Sequence, residues 1–171
     1  MFALIKLIQS LFGALHSEGT PGQLAAGIVL GSFLGLTPLV NLHNAVIFAA
    51  LVLLNVSFAG GMLGWALFIP FGFLLDPLFD SIGHGLLLAP ALRGLWTSLY
   101  NAPIVPLTNF NNTIVLGSVV FAVLFAIPLF FATRLGVTRY RATIGERVRQ
   151  SKWYRAVTAS KAYNVYKMFR P

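Results

Sequence analysis

The chain of 171 residues has no cysteine and only four acidic residues. Without cysteine it cannot be a secreted disulfide scaffold. Charged residues of either sign make up 9% of it, against about a quarter in an ordinary soluble domain. So few ionic groups cannot cover a water-soluble surface, which excludes a soluble enzyme and a disordered chain. Catalytic signatures are missing as well: there is no G-x-S-x-G, no H-E-x-x-H and no P-loop. No enzyme activity, resident metal or other cofactor is therefore expected. What is present is apolar. Hydrophobic residues are 57% of the chain and the mean hydropathy is +0.81. These values predict an all-α integral membrane protein, single-domain by length.

The positive charge is concentrated at one end. From Arg134 onward there are ten bases and one acid, Glu146, a net +9; the first 133 residues hold two bases and three acids, a net −1. An excess of Lys and Arg marks cytoplasmic segments of membrane proteins. It therefore argues for a cytoplasmic tail and against nucleic acid as a partner.

Residues 1–17 read as an amphipathic helix in the membrane interface. Leu4, Leu7, Ile8, Leu11, Phe12 and Leu15 fall on one face, and Lys6, Gln9, Ser10, Gly13, His16 and Ser17 on the other. Thr20 can cap the next helix, and Pro21 suits its first position. That helix carries Gly27, Gly31 and Gly35 at a spacing of four, a smooth stripe along which backbones can approach. It ends at Leu36-Thr37-Pro38-Leu39, and Asn41-Leu42-His43-Asn44 and a second short apolar stretch to Asn55 follow. At 1.5 Å per residue, neither stretch reaches across the ~30 Å hydrocarbon core. Residues 21–55 thus read as a glycine-rich re-entrant hairpin, or else as two short tilted spans.

Two full spans follow, at about 56–75 and 114–132. The first is expected to stop at Leu75-Asp76-Pro77. Residues 85–92 are too short to span, and 93–112 form a turn-rich loop with Trp96 and Tyr100 suited to an interface. Asn112 or Thr113 should cap the second span. Residues 1–137 make up the membrane domain and 138–171 a basic amphipathic cytoplasmic tail. Thr143-x-x-Glu146 matches a capping box, so a helix should start there. The tail's Arg139, Arg141, Arg147, Arg149, Lys152 and Arg155 are candidates for anionic lipid headgroups. The crossings are even in number, so both termini fall in the cytoplasm.

The polar candidates come from a repeat. Leu36-Thr37-Pro38-Leu39 and Leu75-Asp76-Pro77-Leu78 each close a glycine-rich apolar helix and precede polar residues. Paired interrupted segments point to a transporter-like cavity. The substrate-binding candidates are Thr37, Asn41, His43, Asn44, Asp76, Asp80 and His84.

The run Pro21 to Leu39 resembles the signature of the bacterial inner-membrane "domain of unknown function 2062" family. The pattern is Pro, an Ala/Gly-rich helix, a Pro turn and a second apolar stretch ending near Asn. Pro21, Ala26, Gly27, Gly31, Phe33, Gly35, Pro38 and Asn55 carry the resemblance. Members commonly have Asn-Pro after the second stretch, where this chain has Ile69-Pro70 and Asp76-Pro77. The resemblance implies a small multi-pass protein of the bacterial inner (plasma) membrane and no particular mechanism.

Two functions fit. In the first, the protein handles or transports a lipid or other amphiphile through a broken-helix polar cavity. In the second, it is a non-catalytic subunit or scaffold that self-associates or joins a hetero-complex through Gly27, Gly31 and Gly35 and recruits a partner by its tail.

Overall fold

A computed structural model describes residues 19–143, which are helical with short connections and contain no strand. Five α-helices follow in order: α1 (Pro21–Leu36), α2 (Leu42–Leu53), α3 (Phe58–Leu88), α4 (Arg93–Asn101) and α5 (Thr113–Thr143). Single 3-10 turns sit at Pro90–Leu92 and Val105–Thr108. The expected interfacial helix 1–17, the Thr143–Glu146 capping box as a unit, and the tail beyond Thr143 lie outside the described residues.

α1 begins as its sequence dictates. The Thr20 hydroxyl accepts from the Gln23 N–H at 3.2 Å, and Gln23 Oε1 accepts from the Thr20 N–H at 2.8 Å. This reciprocal pair satisfies two backbone donors that would otherwise be orphaned at the helix start. Gln23 also ties down the return of the hairpin. Its Nε2 donates to Asn55 Oδ1 at 2.8 Å, and its carbonyl accepts from the Ser57 N–H at 3.0 Å. The α1–α2 hairpin thus starts and finishes at one end of the bundle.

α1 and α3 run parallel and almost backbone to backbone. A Cβ on Gly31 would overlap the Gly61 carbonyl oxygen; one on Gly35 would lie 2.7 Å from Trp65 O; one on Gly72 would lie 2.6 Å from Gly35 O. Gly60 and Gly64 of α3 meet Leu24 and Ile28 of α1 in the same way. Only glycine permits this approach, which replaces hydrophobic driving force with close van der Waals contact. α5 packs antiparallel on the other side. Gly83 meets the Thr113 backbone and Gly117 meets the Phe79 backbone. Leu24, Ile28, Leu63 and Val137 form one apolar cluster, and Leu36, Phe79 and Ala122 another.

α3 and α5 have 31 residues each, about 46 Å at 1.5 Å per residue. Their most apolar windows have mean hydropathies of 1.8 and 2.7, yet only 28% of each window is buried. A core helix of a soluble protein would be mostly covered. Here Phe73, Leu74, Leu124 and Ile127 stand exposed. Both helices are long and apolar enough to cross a membrane.

Three sequence expectations are corrected. α3 does not stop at Asp76-Pro77; it continues through Pro70 and Pro77 to Leu88 and absorbs the first half of the 85–92 segment. The loop 93–112 contains α4, closed onto α3 by the Trp96 indole N–H donating to Leu86 O at 2.9 Å. The last helix runs past 132, and past position 138, to Thr143, whose hydroxyl donates to Arg139 O.

The contrast between the two Thr/Asp-Pro sequences has a physical cause. After Pro38 the backbone turns, and two carboxamides, Asn41 Nδ2 at 2.7 Å and Asn44 Nδ2 at 2.8 Å, donate to the Pro38 carbonyl. After Pro77 the next polar side chain is Asp80, which as a carboxylate can only accept. No described side chain donates to the Pro77 carbonyl, and the continued helix lets Phe79 and Gly83 pack against α5. The repeat is therefore one of sequence and not of structure.

Candidate functional site

The tip of the α1–α2 hairpin gathers the polar residues nearest in sequence. Thr37, the C-cap of α1, is extended, as a residue before proline prefers. Its hydroxyl lies 2.7 Å from Phe33 O and 2.8 Å from Asn44 Oδ1. Asn44 is only 4% exposed and closes the knot through Pro38 O. Every strong hydrogen-bonding function of this pair is used inside the chain.

A segment from far along the chain covers the tip. Asn109 ends the second 3-10 turn in the left-handed conformation, φ 54° and ψ 30°, which Asn tolerates better than most residues. From there its Nδ2 donates to Asn41 Oδ1. No donor among the described residues reaches Asn109 Oδ1. The His43 imidazole approaches the Thr108 backbone, and its Nε2 is buried without a partner.

Between the hairpin, the covering segment and α3 lies an open cleft of about 780 Å³. Leu34, Val40, Phe48 and Leu107 give it an apolar lining, broken by Asn41, Asn44 and Asn109. Trp65 of α3 completes the wall, and its indole N–H is buried without an acceptor. None of the lining residues carries a formal charge. Such a cleft can hold an apolar chain and hydrogen-bond an uncharged group; it holds no acid/base pair. Sequence reasoning missed Trp65 and Asn109. The only local signal was the turn-prone run Asn109-Phe110-Asn111-Asn112.

The remaining candidates do not join this site. Asp80 accepts from the Thr113 hydroxyl of α5. Asp76 is half-buried and His84 exposed on the outer half of α3, and none of the three lines the cleft. Among the described residues no three His, Asp or Glu side chains come together as a metal site. The single expected cavity uniting Thr37–Asn44 with Asp76–His84 is thus corrected, because α3 stays helical where a second turn was expected. Gly27, Gly31 and Gly35 are buried against α3 of the same chain, so this stripe is not a free surface for another protein. Arg139 and Arg141 lie at the opposite end of the bundle from the hairpin tip. Arg141 Nη1 donates to Gly19 O at 2.7 Å. Arg147, Arg149, Lys152 and Arg155 lie outside the described residues.

Residues 7–144 match the bacterial family described as "Uncharacterized protein conserved in bacteria (DUF2062)". The chain belongs to this family. It is also 30% identical over 151 residues to an "Uncharacterized protein" of Treponema pallidum (strain Nichols), an alignment covering 86% of this chain and 91% of the relative. No solved structure matches the chain. The family match spans α1 through α5, so the hairpin, both long helices and the covering segment all fall within it.

Proposed function

We propose that this protein is a multi-pass inner-membrane protein that accommodates a lipid or other amphiphile in the cleft at its re-entrant hairpin tip. The observation that carries the reading is the cleft itself: about 780 Å³, open, apolar, and edged by three carboxamides and a buried indole. A cleft of this kind beside two exposed apolar helices accepts an acyl chain from the bilayer. Both termini are cytoplasmic in this reading. The open end of the hairpin and Arg139 and Arg141 share one end of the bundle, and basic residues favour the cytoplasm. α3 leads across and α5 returns. Arg139, Arg141 and the tail beyond them meet anionic headgroups at that surface, at about 1 kcal/mol per base.

The test is lipid identification by native mass spectrometry on the full chain purified in mild detergent, compared with Ala45→Trp. Ala45 is an exposed cleft residue on α2, so tryptophan there fills the cleft without displacing the core. Retained lipid in the native chain and its loss from Ala45→Trp support the reading. Equal lipid in both, or none in either, overturns it.

A further inference from the structure

We infer that the cleft selects an uncharged lipid, one whose head carries hydroxyl or ester oxygens in place of phosphate, as a diacylglycerol does. This rests on the amphiphile reading above and narrows it. The first argument is charge. No lining residue is a base. Arg139 and Arg141 lie at the far end of α1, where Arg141 donates to Gly19 O, and the exposed Arg134 of α5 does not line the cleft. α1 has 16 residues, so about 24 Å separate its ends. A phosphate in the cleft would give up water with no cation to replace it.

The second argument is what the knot leaves unpaired. Thr37 and Asn44 are fully engaged with each other and with the backbone. Asn41 gives its amide to Pro38 O and takes one from Asn109. Among the groups that line the cleft, the Trp65 indole N–H is buried without an acceptor, Asn41 keeps a second amide N–H, and Asn109 Oδ1 accepts from no described donor. A neutral head bearing hydroxyl and carbonyl oxygens supplies the complementary acceptor and donor. An ammonium head would find only neutral carbonyl oxygens, and an anionic head only neutral indole and amide N–H groups with no cation.

The third argument is depth. Gly35 and Leu36 pack beside Gly72, the middle of α3. If α3 crosses the membrane, the cleft opens at hydrocarbon depth, where diacylglycerol can place its small head and a phospholipid headgroup cannot reach without being dragged from the interface.

The experiment uses the full chain in lipid nanodiscs with two photoreactive probes bearing the same diazirine acyl chain, one a diacylglycerol and the other a phosphatidylglycerol. Cross-linked peptides are mapped by mass spectrometry. The diacylglycerol probe is expected to label residues 34–48 and 104–109 at least about tenfold more strongly than the anionic probe, and unlabelled diacylglycerol should compete. Asn109→Gly, which keeps the left-handed turn unstrained, and Trp65→Phe should each weaken this labelling by about fivefold, the worth of one hydrogen bond, with far-UV circular dichroism unchanged. Equal labelling by the two probes at the cleft, or preference for the anionic one, overturns the inference and leaves the amphiphile reading standing. Absence of cleft labelling by either probe overturns both. The probe comparison is made on the native chain, so it decides the matter even if a variant fails to fold.

Discussion

Gly31→Ala isolates the contact on which the bundle depends. The added methyl would overlap the Gly61 carbonyl oxygen and sit 2.7 Å from the Trp65 nitrogen. Both obstacles are backbone, so neither can rotate aside. α1 and α3 must part by about an ångström, and the loss spreads along the whole glycine-lined interface. Overpacking a well-filled core costs about 1–3 kcal/mol, and a rigid obstacle puts this change near 3. For a protein of this size each kcal/mol moves Tm by about 2–4 °C, so a fall of roughly 6–12 °C is expected. Gly85→Ala is the control. No atom lies within 4 Å of its would-be Cβ, and in the last turn of α3 alanine for glycine gains at most the mid-helix value of about 0.5–1 kcal/mol. The pair should therefore shift in opposite directions when the full chain is melted in mild detergent and followed by circular dichroism. A Gly31→Ala protein that melts within about 1 °C of the native chain would refute the close α1–α3 packing.

Other outcomes follow from the same geometry. Asn44→Leu removes the buried acceptor of the Thr37 hydroxyl and one of the two amides that donate to the Pro38 carbonyl, and should cost about 1–2 kcal/mol, read as a lower Tm. Thr20→Ala removes the N-cap of α1 and should cost about 1 kcal/mol in the same melt. Asn109→Val should destabilise more than Asn109→Gly, by about 1 kcal/mol, because a β-branched residue is strained at φ 54°; equal melting would refute the left-handed turn. The chain has no cysteine, so single cysteines report topology cleanly. Asn101→Cys should react with an impermeant maleimide on intact spheroplasts, and Thr143→Cys only after lysis; the reverse pattern would overturn the orientation.

What was legible in the sequence was local. The Thr20 cap, the proline at the helix start, the stop at Thr37-Pro38 and the Asn112 cap of α5, whose Oδ1 accepts from the Val115 N–H at 3.2 Å, each depend on residues within one turn. The glycine stripe was legible as a contact surface, but its partner was not. A spacing of four says that a helix can be approached closely and is silent on whether the neighbour belongs to the same chain. The failure at Asp76-Pro77 is instructive. The dipeptide disfavours helix locally, yet Phe79 and Gly83 bury against α5 only if the helix runs on. Tertiary packing outweighed the local preference. The cleft was half legible: Thr37, Asn41 and Asn44 are close in sequence, while Trp65 and Asn109 arrive from distant segments.

Three backbone interruptions of the bundle share one height, while Pro77 lies about two turns further along α3. α1 ends at Leu36, beside Gly72. Pro70 lies half a turn below that point in α3. The Gly83–Thr113 and Phe79–Gly117 register places Pro128 of α5 level with about residue 68 of α3, since each step along one helix is a step back along its antiparallel neighbour. Pro70 and Pro128 each remove a backbone donor and free the carbonyl four residues earlier, at Ala66 and Leu124. Scattered along the axis, such defects would soften each helix separately. Gathered in one layer beside the end of α1, they place a proline weak point of α3 and that of α5 at the same height. Trp65, in the wall of the cleft, lies about one turn from this layer. A molecule seated between Trp65 and Asn109 would touch α3, the hairpin and the covering segment, the parts that bending at that layer moves against one another.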